Sequence, residues 1–427
     1  MEKLTDATKE ELLLWSRLRH EQDGRAQIKE QEADGMSEDE AKVCLRELVR
    51  TEQQNKQEPS DLESIQRLCP FPKGYGIPAD YERRLRGALV GRFAGCTLGV
   101  PVENYSIDRM QCIAKESGTP FPPTEYWHAV ENPEGVQYGV DKRTAYTLRG
   151  LRGVPVDDDV TYTILNMLLL EKYGENYTQE NVATLWKEIL PYACTAEDRA
   201  LKNLLAGCSA AEAAEGNPYI EWIGAAIRAD AFGYAAAGDP ARAALMSYND
   251  AFLTHRRNGI YGEMFAAGAV AAAFVMSPAN AVKAGALCIP EGSRLRKDLD
   301  WAFSFEGKLQ GYAHARALLD ERFAGMHCVH VENNMCAVVF AIFLGAGDFT
   351  RTISQSVAMG MDNDCNAATV GSIVGAHVGI DGIARHWYKS FGDNVRTYLR
   401  GYPEISIEKC VQTFQEIFKK IQGRVKR

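Results

Sequence analysis

Apolar positions recur at helical spacing along almost the whole chain from residue 81 onward, whereas the alternation typical of half-buried strands is scarce. Four runs are rich in Gly and Ala at spacings of three and four: 87–99, 224–238, 262–274 and 366–379. Because small residues let helix backbones approach closely, these runs predict buried central helices. The predicted fold class is therefore all-α, with one large helical domain.

The first 78 residues differ from the rest, because they are polar and poor in glycine. Their apolar positions predict three short helices, of which the second begins at Ser37 and the third at Ser60. Each of these serines has a glutamate three residues later, which is the pattern of a capping box. Residues 69–78 hold three prolines and two glycines and read as a linker. We predict a helical N-terminal extension over 1–78 and a main domain over 79–427.

The segment 101–155 interrupts the helical pattern. It has several glycines, the stretch PFPPTEYW and few periodic apolar positions. We predict a long irregular excursion here, and loops of that length in a compact domain are often functional.

Composition narrows the classes of function. The 427 residues are 46% hydrophobic and 25% charged, enough for a sizeable core. A net charge of −9 argues against a nucleic-acid-binding surface, which needs clustered Lys and Arg. No apolar run is long enough for a membrane span, and the charged start lacks a signal core. The 11 cysteines form no CxxC pair, so we expect reduced thiols and a cytoplasmic location.

Three consecutive aspartates, Asp157, Asp158 and Asp159, stand before a run predicted to be a helix, residues 161–173. A single aspartate at this place ordinarily caps free backbone N–H groups and complements the helix dipole. Three adjacent carboxylates repel one another, and only one of them can be the cap. On this segment alone, capping and cation binding are equally good interpretations.

The pattern recurs where Asp362 and Asp364 stand before a second predicted helix, residues 367–378. Capping is again the plain interpretation, but carboxylates beside a buried small-residue helix need a partner that offsets their desolvation. Two acidic clusters that face one another offer oxygen ligands, which suit Mg²⁺ or Mn²⁺ and not zinc. Together the clusters favour a metal site and a metal-dependent hydrolase.

Four segments in order along the chain resemble the motifs of the ADP-ribosylglycohydrolase family. They are GALVGRFAGCTLGVPVE, VDDDVTYTIL, LTHRRNGIYGEMFAAGAVAAAF and GMDNDCNAATVG, and the likeness covers about residues 81–390. The resemblance implies a compact orthogonal multi-helix hydrolase with two Mg²⁺ or Mn²⁺ ions. Such enzymes cleave the glycosidic bond between ADP-ribose and an acceptor, with the metals holding the hydroxyls of the distal ribose and positioning water.

The resemblance also assigns residues. Asp158 and Asp159 match the aspartates of the first metal motif, and Asp157 matches its threonine. Asp362 and Asp364 match the aspartates of the second motif. All five are therefore predicted metal ligands.

Glu103 matches the glutamate of the opening motif. With Asp158 and Asp362 it completes the predicted catalytic carboxylates. Carboxylates stabilise the positive charge that develops at an anomeric carbon, and one of them can act as a base.

Several positions depart from the family pattern. Val160 stands where the first motif has its last threonine, and Asn363 and Cys365 stand where the second motif has threonines. Cys96 replaces the aspartate of the opening motif. A thiol is a soft ligand that is poorly matched to Mg²⁺, so these changes bear on the ligand set and on the substrate.

Four further residues are predicted to bind substrate: His255, Asn333, Asn334 and Tyr126. Each also has a plain structural interpretation. His255 could be a structural hydrogen-bonding residue. The two asparagines could cap the helix that follows. Tyr126 could stack on an adenine or could pin its loop to the domain.

The favoured hypothesis is a metal-dependent hydrolase of an ADP-ribosyl or related ribosyl N- or O-glycosidic bond, acting on a small molecule or an ADP-ribosylated protein. The alternative is a non-catalytic family member with a structural or ligand-binding role. The four motif aspartates are all present, which favours catalysis. A metal phosphohydrolase would need a His-Asp pair or a His-rich set, and the sequence has neither.

Overall fold

The computed structural model describes residues 4–50 and 55–425, and most of this part of the chain is helical. Its helices are α1 (Asp6–Asp23), α2 (Glu30–Asp34), α3 (Glu38–Arg50), α4 (Leu62–Leu68), α5 (Tyr81–Gly99), α6 (Ile107–Ser117), α7 (Asp158–Tyr173), α8 (Gln179–Ile189), α9 (Thr195–Leu205), α10 (Asp230–Ala235), α11 (Pro240–Thr254), α12 (Asn258–Ala273), α13 (Pro278–Ala286), α14 (Arg294–Phe303), α15 (Tyr312–Arg322), α16 (Val331–Gly345), α17 (Phe349–Met359), α18 (Asn363–Val378) and α19 (Ile407–Val425).

Strands are confined, in the described ranges, to two short antiparallel pairs. They are β1 (Val136–Gln137) with β2 (Asp141–Lys142) and β3 (Val395–Arg396) with β4 (Glu404–Ile405). The all-α prediction is therefore confirmed. None of the helices seen in residues 4–50 and 55–425 combines the length and the apolarity that crossing a membrane requires.

The core is built around α12, in which every residue is buried. Helices α10, α11, α13, α16 and α18 pack around it. The run 262–274 is thus a central buried helix, as its Gly and Ala content predicts. The runs 87–99 and 366–379 likewise form the buried helices α5 and α18.

Glycines on every fourth residue bring α5 and α18 into backbone contact. A Cβ added to Gly91 would lie 2.2 Å from the carbonyl oxygen of Gly371, and one added to Gly371 would lie 2.2 Å from that of Gly91. A Cβ on Gly95 would lie 2.0 Å from the carbonyl oxygen of Ala367. The close approach predicted from the small-residue spacing is confirmed, and it places the start of α18 beside the end of α5.

We expect Gly95→Ala to lower the free energy of unfolding by roughly 3 kcal/mol, because the new methyl group overlaps a backbone carbonyl that cannot move alone. Urea denaturation measures the change. Gly35→Ala is the matched control, since its Cβ would meet no atom closer than 3.5 Å. The control should stay within about 0.5 kcal/mol of the wild type. Equal losses in the two variants would contradict the close packing of α5 on α18.

The run 224–238 is not one continuous helix, which corrects the prediction. It forms a 3₁₀ turn over Ile223–Arg228 and then the short helix α10. Two buried arginines account for the break, because Arg228 donates to the carbonyl oxygen of Gly224 (3.2 Å) and Arg92 donates to that of Ile227. These side-chain contacts, one tertiary and one local, take carbonyls that a regular helix would use, and the glycines lower the helix propensity further.

The excursion 101–155 is irregular only in part. It contains α6, which is capped at its start because Ser106 Oγ accepts from the backbone N–H of Arg109 (3.2 Å). Its apolar residues, at positions 107, 110, 113 and 114, have helical spacing and pack against the core, so the prediction of an irregular excursion is wrong for this segment. The β1–β2 pair follows and carries the excursion to the candidate site.

The N-terminal extension forms the helices α1 to α4. The capping box of the second predicted helix is present, since the backbone N–H of Ser37 donates to Glu40 Oε2 (2.8 Å). The third helix begins later than predicted, because Asp61 and not Ser60 is its cap and accepts from the backbone N–H of Ser64 (2.9 Å). The division of the chain into an extension and a separate domain stays a prediction.

Candidate active site

A cavity of about 570 Å³ lies where α7, α9 and α18 begin. The excursion and the segments 222–227 and 327–329 form the remaining wall. Carboxylates are frequent on this wall, and they are Glu103, Asp158, Glu197, Asp362 and Asp364. Rings are also frequent, and they are Tyr138, Tyr162, Tyr192, Trp222 and His327. Among the described residues that line the cavity, no Lys or Arg is found.

The structure brings the two acidic clusters together at this cavity. Three groups each offer ligand atoms that lie within 4.8 Å of one another. They are Asp157 with Asp158 and Asp159, Glu103 with Asp362 and Asp364, and Asp159 with Asp364 and Cys365. The last group joins the first cluster to the second, so the carboxylates of both helix starts form one continuous acidic centre.

Local backbone geometry sets the second cluster in place. Met361, directly before the cluster, has a φ of 68°, an unusual conformation for a residue with a side chain. Its carbonyl oxygen accepts from the backbone N–H of Asn104 (3.1 Å), which ties the Glu103 loop to the start of α18. A Cβ on Gly99 would lie 2.3 Å from Cα of Asp364. Glycine is therefore required beneath this carboxylate.

Asn334 supports the same loop from behind. Its Oδ1 accepts from Asn366 Nδ2 (2.8 Å) and from the backbone N–H of Asp362 (3.4 Å), and its Nδ2 donates to the carbonyl oxygen of Cys328 (2.7 Å). The neighbouring Asn333 donates to the carbonyl oxygen of His327 (2.8 Å). Both asparagines are buried and brace the wall from behind.

Asp159 is held by a buried cation. Its Oδ1 accepts from the guanidinium of Arg92 (2.8 Å), which also pairs with Asp230 (2.7 Å). Its other oxygen, Oδ2, is buried and has no hydrogen-bond donor among the described residues. The same holds for Oδ1 of Asp362 and Oδ1 of Asp364. Buried carboxylate oxygens without donors are costly, and bound cations would satisfy them.

Burial and mutual repulsion act against the ionised forms of these carboxyls. Burial raises the pKa of Asp159 to about 8, although Arg92 opposes the shift. Burial, then repulsion from Glu103 and Asp362, raises the pKa of Asp364 well above its usual value. Burial also raises the pKa values of Asp158 and Asp362. Without a cation the centre retains protons, so the donor set fits Mg²⁺ or Mn²⁺, whose binding would displace them.

Glu103 reaches the centre from the end of α5. Its side chain is exposed to the cavity, but the surrounding protein partly desolvates the carboxyl group. This desolvation, followed by repulsion from Asp362 and Asp158, raises the pKa of Glu103 to about 8. Glu103 is therefore suited to holding a proton near neutral pH.

Asp157 and Cys365 play different parts. Asp157 is buried and is the cap of α7, since its Oδ1 accepts from the backbone N–H of Asp159 (3.1 Å). It does not line the cavity, although one of its carboxylate oxygens lies within 4.8 Å of ligand atoms of Asp158 and Asp159. Cys365 lines the cavity, and burial, then Asp159 and Asp362, raises the pKa of its thiol well above the usual range. The thiol is therefore protonated and a poor nucleophile.

None of the four predicted substrate contacts lines the cavity, since Tyr126 and His255 lie outside the wall as the two asparagines do. Tyr126 is buried, donates from its hydroxyl to the carbonyl oxygen of Trp387 (2.7 Å) and packs edge-on against that ring. His255 is buried beside Thr254, whose hydroxyl lies 2.6 Å from Nδ1. These contacts match the structural interpretations of both residues.

The sequence analysis did not predict that aromatic rings and the carboxylate of Glu197 line the cavity. Tyr138 stacks on Tyr398 (centroids 5.2 Å apart), and Trp222 stacks on His327 (4.3 Å, 14° between planes). Glu197, at the start of α9, has its pKa raised to about 7 by burial, although Arg228 opposes this. These residues sit in irregular segments or in a first helical turn, where periodicity indicates nothing about orientation.

Comparison with known proteins identifies the family of this chain. The sequence model described as ADP-ribosylglycohydrolase matches residues 77–417. A solved structure titled "ADP-ribosylglycohydrolase-related protein complex" is similar at 16% identity, covering 80% of this chain and 98% of that chain with a TM-score of 0.45. No curated protein matches the chain. Because the family's sequence model spans most of its length, the chain belongs to the ADP-ribosylglycohydrolase family.

Proposed function

We propose that the protein is a Mg²⁺- or Mn²⁺-dependent hydrolase that cleaves an ADP-ribosyl, or related ribosyl, N- or O-glycosidic bond. Membership of the family supports a glycohydrolase. The observation that carries the finer proposal is the joining of two acidic clusters, with three donor-free buried oxygens, at one cavity. We further propose a cytoplasmic location, a small-molecule or ADP-ribosylated protein substrate, and no nucleic-acid or membrane partner.

Asp158, Asp159, Asp362 and Asp364 would hold the cations, and three buried carboxylate oxygens among them have no hydrogen-bond donor in the described part of the chain. We propose two ions, the number that the family resemblance implies. When bound, such cations orient vicinal hydroxyls and lower the pKa of coordinated water. The carboxylates themselves place negative charge around the anomeric carbon, where positive charge develops during glycoside cleavage. Arg92 keeps Asp159 oriented from behind.

We propose that Glu103 transfers the proton that the leaving group receives during bond cleavage. It reaches the cavity from a different element than the aspartates, and its raised pKa lets the carboxyl hold a proton that it can give to a leaving group. Once it has given up that proton, its carboxylate can accept a proton from the attacking water.

We expect Glu103→Gln to lower kcat by about a hundredfold or more with little change in KM, because the amide cannot transfer a proton. Steady-state kinetics with a hydrolysed substrate measures both constants. Binding of Mn²⁺ should persist, since the four aspartates are unchanged. A kcat equal to that of the wild type would remove Glu103 from the chemistry.

The substrate class is tested by a panel with added Mg²⁺ or Mn²⁺: ADP-ribosyl-arginine, ADP-ribosyl-serine, poly-ADP-ribose and simple nucleosides. Metal-dependent release of ADP-ribose from one of the first three supports the proposal. Turnover of nucleosides alone would displace the ADP-ribosyl assignment and keep the glycosidase class. No turnover of any compound would overturn the proposal.

The second candidate is a non-catalytic protein that binds a ribosyl ligand. Its motivation is Cys365, which lines the cavity within reach of Asp159 and Asp364 where the family pattern has threonine. Tight binding of ADP-ribose without turnover of any substrate in the panel would favour it.

A further inference from the structure

Helix α1 of the N-terminal extension lies against segments that line the cavity. Near its start, Glu11 forms an ion pair with Arg199 of α9, whose first residues form part of the wall. In its middle, Trp15 and Leu18 pack on Ile220, two residues before the wall residue Trp222. The helix therefore spans from one side of the wall to the other.

Near its end, α1 reaches the wall directly through Glu21. The Oε1 of this buried side chain accepts from the backbone N–H of His327 (2.9 Å). The ring of His327 stacks on Trp222, and both rings line the cavity. Glu21 thus fixes the backbone position of one member of the stacked pair.

A buried ion network holds this end of α1 against the main domain. Arg294 donates to the backbone carbonyl of Glu21 and pairs with Glu221 (2.5 Å), and Gln22 Nε2 also donates to Glu221 (3.3 Å). Arg294 further pairs with Glu332 at the start of α16 (3.3 Å). Because the carboxylates of Glu221 and Glu332 are buried and paired with the half-buried Arg294, we expect the helix to be held in one position.

We propose that α1 supports the wall of the substrate cavity from behind, with Glu21 as a positioning residue for the stacked Trp222–His327 pair, against which a planar ring of the substrate packs. The proposal rests on the proposed function, in which the adenine of an ADP-ribosyl substrate is such a ring. It goes beyond the family, because the family's sequence model begins at residue 77 and so excludes α1.

The test compares Glu21→Ala with Glu21→Gln in the full chain loaded with Mn²⁺. Kinetics with ADP-ribosyl-arginine and calorimetry with ADP-ribose are the measurements. For Glu21→Ala we expect KM and the Kd of ADP-ribose to rise about tenfold, with kcat within about twofold of the wild type. Glu21→Gln keeps an oxygen that accepts from His327 and should restore most of the affinity. Glu10→Ala, at an exposed position of the same helix, should change neither constant.

A Glu21→Ala protein that binds ADP-ribose as tightly as the wild type would overturn the wall inference alone. A wild type that neither hydrolyses the substrate nor binds ADP-ribose would overturn the proposed function, and the wall inference with it. Trp222→Leu is the second variant, in case Glu21→Ala does not fold. It removes the flat ring face and should also raise the Kd about tenfold, whereas an unchanged Kd would count against the proposal.

Discussion

The double substitution Asp158→Asn and Asp362→Asn is expected to lower kcat/KM by about a thousandfold or more while the protein stays folded. The two residues come from different acidic clusters and both line the cavity. An amide has nearly the shape of a carboxylate but carries no charge, so the change removes cation binding and keeps the packing. Kinetics with the best substrate of the panel measures the loss, and circular dichroism checks the fold.

Asp108→Asn is the matched control for this loss, because Asp108 is exposed on α6 and does not line the cavity. Its kcat/KM should equal that of the wild type. A double variant that retains activity within about tenfold of the wild type would show that these carboxylates do not carry the reaction.

The second large effect concerns stability, pH and divalent cations. Without cations, we expect stability to fall as the pH rises from 5 to 8, opposite to the usual behaviour of paired aspartates. An acid whose folded pKa exceeds its unfolded value contributes fully below the unfolded pKa and loses that contribution as the pH rises through the folded pKa. For Asp159 this window runs from the ordinary value of 3.8 to about 8.

Divalent cations should reverse that loss, because they compete with the retained protons. At saturating Mg²⁺ or Mn²⁺ we expect the unfolding temperature to rise by about 5 °C near pH 8 and by much less near pH 5. Asp362→Asn should make the cation-free protein more stable than the wild type near pH 8 and should diminish the response to cations. Equal unfolding temperatures with and without cations at both pH values would contradict cation binding at the acidic centre, and a cation-free stability that does not fall between pH 5 and 8 would contradict the raised pKa values.

The parts of the fold that could be predicted from the sequence are those marked by a periodic pattern of residues. Small residues at spacings of four along α5 and α18 indicate close packing, and Gly91 and Gly371 make that contact. The prediction of one continuous helix over 224–238 was wrong because Arg92, from α5, and Arg228, within the run itself, take carbonyl groups that a regular helix would use. No periodicity within the run reports such contacts.

The residues of the candidate site also fall into those that could be predicted from the sequence and those that could not. Asp158 and Asp362 meet at one cavity because each stands at the start of a buried helix, and helix starts can be located from sequence. Trp222 of the cavity wall could not be located, because it belongs to an irregular segment whose direction is set by tertiary contacts. Tyr126 shows the converse, since an aromatic residue on a long excursion can equally face a cavity or the core, and it faces the core.

Titration calorimetry with Mn²⁺ tests the central claim most directly. The wild type is expected to bind about two ions per chain near pH 8, and the Asp158→Asn and Asp362→Asn double variant is expected to bind none with comparable affinity. Absence of binding heat in the wild type, or equal binding in the two proteins, would contradict a cation centre formed by the two acidic clusters.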